Sequence, residues 1–170
     1  TIETSYEIAK AVQDNPEFEE IPATLAIKHY HDTHGFVLQQ KVEVMVEKLR
    51  EITLSKIDGQ AKAMIVSPSR AHAVRYLFLL REYCKKKGYT DVNALVAFSG
   101  TVKYQGEEYT ESKLNSTDDQ KISEKQLPLF FNSDMYNVLI VADKYLTGFD
   151  EPLLHTMFVD KKLRGVKAVQ

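Results

Sequence analysis

Two hydrophobic periods divide this chain. In "FVLQQKVEVMVEKLREITLSKI" (36–57), Val42, Met45, Val46, Leu49 and Ile52 recur at helical spacing, with Glu43, Glu47, Lys48 and Glu51 mostly on the other side. Upstream, "TSYEIAKAVQDNPEFEEIP" holds at most a short helix ending near Asn15 and Pro16, and Pro22 interrupts again. Beyond Lys62 the pattern changes to short apolar runs separated by amphipathic stretches. "AMIV" (63–66) leads into "SPSRAHAVRYLFLLREYCKKKG". There Ser69 suits an N-cap, Ala73, Leu77, Leu80 and Cys84 mark one face, Lys85 to Lys87 meet the negative end of the helix dipole, and Gly88 suits the stop. "NALVAF" (93–98), "YNVLIVA" (136–142) and "LHTMFV" (154–159) supply further runs.

Apolar runs that do not alternate, with helices between them, predict parallel strands buried on both faces. Residues 63–67, 93–98, 136–142 and 154–159 are therefore expected to form adjacent parallel strands of an α/β fold flanked by helices. A helical linker or interdomain segment over 1–60 would precede an α/β domain over 61–170. The polar stretch from Ser99 to about Lys121 is expected to be an exposed, partly mobile excursion. "ISEKQLPLFFNS" holds a helix weakened by Pro128.

Composition narrows the class. The 170 residues are 44% hydrophobic and 27% charged, enough for a sizeable core. No run approaches the roughly 20 apolar residues that span a bilayer, so no membrane association is expected. "TIETSYEIAK" lacks the order of a secretory signal, and the opening Thr reads as a piece cut from something longer. A single cysteine, Cys84, excludes an internal disulfide and points to a reducing, cytoplasmic setting. The net charge of −2 excludes a general basic coat for nucleic acid but not a local groove.

Right-handed crossovers would bring the segments after the strands to one edge, where open α/β sheets bind ligands. These are "SPSR", "SGT", "DKYLTGFD" and "DKKLRG". Hydroxyls, exposed backbone N–H groups and Lys or Arg there suit phosphate oxygens, although polar loops are normal at this edge of any α/β sheet. "KHYHDTHGF" gathers His29, His31, Asp32 and His34, but helical geometry would aim His29 and His31 about 200° apart. An exposed interdomain segment is the preferred reading, with no metal. Tyr104 and Tyr109 have faces for base stacking, but the acidic "YQGEEY" around them favours a solvated loop.

Several of these stretches, in order, resemble one family. "LIVADKYLTGFDEPLLHTMFVDKKLRGVKAVQ" resembles the second RecA-like domain of the motor (R) subunit of type I restriction enzymes, superfamily 2 helicase-like DNA translocases. "KAMIVSPSRAHAVRY" is similar to that family's motif IV segment, "VAFSGTV" to the segment after it, "ADKYLTGFD" to motif V, and the final "VQ" to the start of motif VI. The resemblance covers roughly residues 40–170. It implies a RecA-like, P-loop NTPase-type fold, truncated before the end of motif VI, that helps bind ATP at an interdomain cleft and grip double-stranded DNA.

On that resemblance Thr147, Gly148, Asp150 and Gln170 would approach ATP, with Asp150 on the ribose hydroxyls; the competing reading is that Asp150 caps the turn before Pro152. Ser67, Ser69, Arg70, Ser99, Gly100, Thr101, Lys161 and Lys162 would face DNA phosphates; Ser69 also suits a helix cap. The basic cluster with Arg164 and Lys167 also reads as a solvated face. Ala142 stands where many such proteins have a phosphate-touching Thr, which removes a hydroxyl. The chain has no G-x-x-x-x-G-K-[ST] loop and no strand ending in an acidic Mg²⁺-binding pair. The resemblance therefore assigns ATP and Mg²⁺ to the intact subunit, none bound to this chain alone, and no catalytic residue within it. It implies as partners the first RecA-like domain and the methyltransferase and specificity subunits. Two alternatives stand beside it: the second motor domain of another superfamily 2 helicase or remodeller, and a non-enzymatic α/β binding module.

Overall fold

The computed structural model describes residues 35–52, 55–145 and 149–161. The chain divides into two compact units, Thr1–Lys41 and Val42–Gln170. Helix α1 (Gly35–Ile52) runs through the division. Within the second unit it buries Val42, Val46 and Leu49 and exposes Glu47, Lys48 and Glu51, as its 3.6-residue period requires. A 3₁₀ turn at Ile57–Gly59 follows.

The remaining elements are β1 (Lys62–Val66), α2 (Arg70–Lys87), β2 (Ala94–Ala97), β3 (Thr101–Tyr104), β4 (Glu107–Thr110), α3 (Glu111–Asn115), α4 (Leu127–Asn132), β5 (Val138–Val141) and β6 (Leu154–Val159). The four expected strands form one parallel sheet in the order β2-β5-β1-β6. Every residue of β1, β2 and β5 is buried, so both faces are covered. On one face Met64, Val66, Leu95, Ala97, Leu139 and Val141 close around Ile122, Leu127 and Phe131. Helix α2 packs against β2 and β5. Its ends follow the sequence: the Ser69 side chain accepts from the His72 backbone N–H, and Gly88 sits in the left-handed region at φ 70°.

Four expectations need correction. Strand β6 is not buried on both faces but alternates half-buried and exposed, with Met157 and Val159 about half exposed. It is the edge strand of the sheet, and His155 and Thr156 had already broken its apolar run. The stretch from Ser99 is not a loose excursion: β3 and β4 pair as an antiparallel hairpin and α3 buries Glu111, Leu114 and Asn115. The Asn115 side chain exchanges two hydrogen bonds of 2.8 Å with the backbone of Val96, closing the outer edge of β2. Tyr104 and Tyr109 are not in a solvated loop; they pack on Phe78 of α2, with ring centroids 5.8 and 5.4 Å away. Pro128, for its part, does not weaken α4, because it sits in the first turn where its missing N–H costs nothing.

Lys62, outside the expected strand, opens β1 and is buried. Its ammonium donates to the carbonyls of Phe131, Ser133 (2.7 Å) and Tyr136 (2.8 Å), holding the end of α4 to the sheet. Burial pushes its pKa down, against the pull of Glu151 and Asp134.

Candidate functional site

Because the four strands are parallel, all four chain segments leaving them emerge at one edge. After β1, Ser67 is fully buried: its hydroxyl donates to the Val141 carbonyl at 2.8 Å, as does its N–H at 2.9 Å. Ser67 thus pins β1 to β5, and its hydroxyl is turned inward rather than toward the edge. Ser69 caps α2, its hydroxyl 2.8 Å from the His72 Nδ1. Arg70 is exposed, and its Nη1 donates to the Ser99 carbonyl at 2.9 Å. This contact explains the "SGT" turn. Gly100 adopts φ 77°, and a Cβ there would lie 3.0 Å from Arg70 Nη1, so glycine both makes the turn and admits the guanidinium. Ser99 and Thr101 are exposed beside it.

The segment after β5 is held from two sides. Asp143 (φ 55°) and Tyr145 (φ 60°) are non-glycine residues in the left-handed region, bracketing Lys144. The ammonium of Lys144 pairs with Glu111 Oε2 at 2.8 Å and Glu124 Oε1 at 2.7 Å. Asp143 pairs with Lys161, which follows β6. The Tyr76 hydroxyl donates to Asp160, and the Asp160 N–H donates to Val66 O at 2.9 Å. Ala142 is buried, its N–H donating to Ala97 O at 3.0 Å.

Burial pushes the Glu111 carboxyl up, against the pull of Lys144 and the Phe98 N–H. Burial opposes the charge on Lys144, but its two carboxylate partners outweigh it and raise its pKa.

Asp150 is placed differently. It precedes the start of β6, where Lys62 N–H donates to Leu153 O at 2.7 Å. Asp150 is exposed, and among the described residues its carboxylate accepts no hydrogen bond and makes no ion pair. The turn at Pro152 is secured instead by buried Glu151, whose Oε1 accepts from Leu153 N–H at 3.0 Å. The capping role weighed for Asp150 therefore belongs to its neighbour. Phe149 anchors the segment inward, against the rings of Tyr145 (4.8 Å) and Phe131 (5.8 Å).

The comparisons with known proteins agree on one family. A model of type I restriction enzyme subunit R domain 3 matches residues 109–170. Two proteins of Methanocaldococcus jannaschii align more widely. One, named as the type I restriction enzyme MjaVIIP endonuclease subunit, is 32% identical over 138 residues, 74% of this chain and 13% of its own length. The other, named as the MjaVIIIP endonuclease subunit, is 27% identical over 115 residues, 64% of this chain and 11% of its own length. The chain belongs to the type I restriction enzyme R subunit family. It spans little more than a tenth of the curated R-subunit relatives it matches.

Of the residues that the family resemblance marked, the exit edge brings together Ser67, Ser69, Arg70, Ser99, Gly100, Thr101 and Lys161. Thr147, Gly148, Lys162 and Gln170 lie outside the described residues, as do His29, His31, Asp32 and His34. Among the described residues no group of three His, Cys, Asp or Glu is placed to hold a metal ion, and no helix is long and apolar enough to cross a membrane. Glu111, Lys144 and Tyr76 escaped sequence reasoning. Glu111 sat in an acidic run that reads as solvated, and only Leu114 and Ile122 nearby signalled a buried segment.

Proposed function

We propose that this R-subunit chain is the second RecA-like domain of an ATP-dependent DNA translocase motor, gripping double-stranded DNA at the exit edge of its sheet and completing an ATP site through Asp150. The observation that carries this reading is the convergence at one edge of Arg70, the Ser99–Thr101 turn and Lys161 on a chain of net negative charge. Arg70 supports it further. It is a cation at the N-terminus of α2, with no acidic residue in the first turn, where the helix dipole disfavours positive charge. That end of the helix is suited to an anion, and one hydrogen bond to Ser99 leaves most of the guanidinium's five donors open to a phosphate.

For ATP, the fit rests on Asp150: an exposed carboxylate without a partner among the described residues suits ribose hydroxyls, as acidic residues do in other nucleotide folds. The phosphate cradle and the Mg²⁺ ligands would come from the first RecA-like domain, and the methyltransferase and specificity subunits would complete a cytoplasmic restriction complex.

In the intact R subunit, Asp150→Ala is expected to lower DNA-stimulated ATP turnover while leaving the melting temperature unchanged. Loss of one hydrogen bond to a neutral partner costs about 1 kcal/mol, several-fold in affinity. A lower melting temperature with normal turnover per folded molecule would overturn the assignment of Asp150.

A further inference from the structure

The Glu111 carboxylate is 5% exposed and sits between two segments of the exit edge. Its Oε2 accepts from the Phe98 N–H at 2.9 Å, directly before the Ser99–Thr101 turn, and from Lys144 Nζ at 2.8 Å, in the turn that begins the 143–150 segment. Among the described residues its Oε1 is buried with no hydrogen-bond partner, a cost that packing alone does not require. A hydrophobic pair of the same volume would hold α3 in place without that cost. What the ionic pair supplies is a fixed distance and direction between two segments that lie past the last β2–β5 hydrogen bond among the described residues, Ala142 N–H to Ala97 O.

Lys144 is placed to transmit that fixation. Its turn carries two residues in the left-handed region, a conformation that persists only when the surroundings over-determine it. Its ammonium lies 5.2 Å from the centroid of the Tyr145 ring, Tyr145 packs on Phe149, and Phe149 is bonded to Asp150. A continuous set of contacts thus runs from the turn beneath Arg70, through Glu111 and Lys144, to the residue proposed to meet the ribose.

We propose that Glu111 and Lys144 are positioning residues that couple the DNA-facing turn at 99–101, through Tyr145 and Phe149, to the nucleotide-facing Asp150. This inference rests on the motor reading above. In its terms, displacement of the 99–101 turn by a DNA strand is passed to Asp150 through the carboxylate–ammonium pair, so that DNA engagement adjusts the nucleotide site.

The test separates coupling from mere stability. In the intact R subunit, Lys144→Met alone leaves a buried carboxylate without its cation and is expected to lower the melting temperature. The double variant Glu111→Gln/Lys144→Met removes both charges, keeps an acceptor for the Phe98 N–H, and is expected to regain most of that loss. The ratio of DNA-stimulated to DNA-free ATP turnover should nevertheless remain roughly tenfold lower than in the wild type, and hydrogen exchange should quicken in peptides covering 98–104 and 143–150 together. A double variant with recovered melting and an unchanged stimulation ratio would overturn the coupling and leave the motor reading intact. A wild-type subunit whose turnover DNA does not stimulate would overturn the motor reading itself, and the coupling with it.

Discussion

Single side chains do more here than their sequence neighbourhoods suggest. Glu47 lies on the polar side of α1, yet its carboxylate accepts from the hydroxyls of Tyr83 (2.7 Å) and Tyr89 (2.9 Å), fastening the helix to α2 and the turn after it. Nearby, the guanidinium of Arg50 lies 3.6 Å over the Tyr89 ring and pairs with Asp91 at 3.0 Å. The Tyr83 hydrogen bond, then that of Tyr89, lowers the Glu47 pKa, and the same bond pushes Tyr83 up to about 12. The signs follow from linkage. A carboxyl whose folded pKa is lowered contributes stability above its unfolded value of about 4.3, lost as pH falls through the folded value. A phenol raised to about 12 contributes stability below its unfolded value of about 10, lost as pH climbs between the two. Glu47→Gln is therefore expected to flatten the dependence of melting temperature on pH at both ends. A variant whose acid and alkaline limbs match the wild type would show that these bonds contribute nothing to stability.

At the scale of elements, the ends of α2 are set by two residues and the sheet by burial. Ser69 and Gly88 close the helix through a side-chain acceptor and a left-handed residue. A Cβ at Gly88 would meet no heavy atom within 4 Å, so a substitution there tests backbone strain alone. Gly88→Ala should cost about 1–2 kcal/mol, read as a lower denaturant midpoint with an unchanged slope. An unchanged midpoint would mean that the C-cap conformation is relaxed without glycine. Both caps, the three buried strands and the buried stripe of α1 were legible in the sequence, because each depends on residues close together in the chain. The β3–β4 hairpin was not. Its residues are mostly exposed, "YQGEEY" looks solvated, and the contacts that order it come from Phe78 on another element.

For the molecule as a whole, the exit edge gathers hydroxyls and cations, but the chain carries no phosphate cradle. No G-x-x-x-x-G-K-[ST] loop occurs in the 170 residues, and without one a triphosphate lacks the backbone N–H groups and lysine that hold it. The isolated chain is expected neither to hydrolyse ATP nor to bind it tightly. Steady-state turnover above a protein-free control, with DNA present, would contradict this.

The sequence by itself determined the α/β class, the positions of the four parallel strands and the ends of α2, since hydrophobic period and capping chemistry are local. It also marked Arg70, Gly100 and Asp150, through the resemblance of the segments that carry them to one family's motifs. The tertiary structure alone decided that Gly100 makes room for Arg70, that Ser67 is buried as a link between strands, and that Glu151 rather than Asp150 holds the turn before Pro152. It alone brought Glu111 to Lys144 across 33 residues. A side chain's role depends on which donors and acceptors the fold places around it, and that is settled only when distant segments meet.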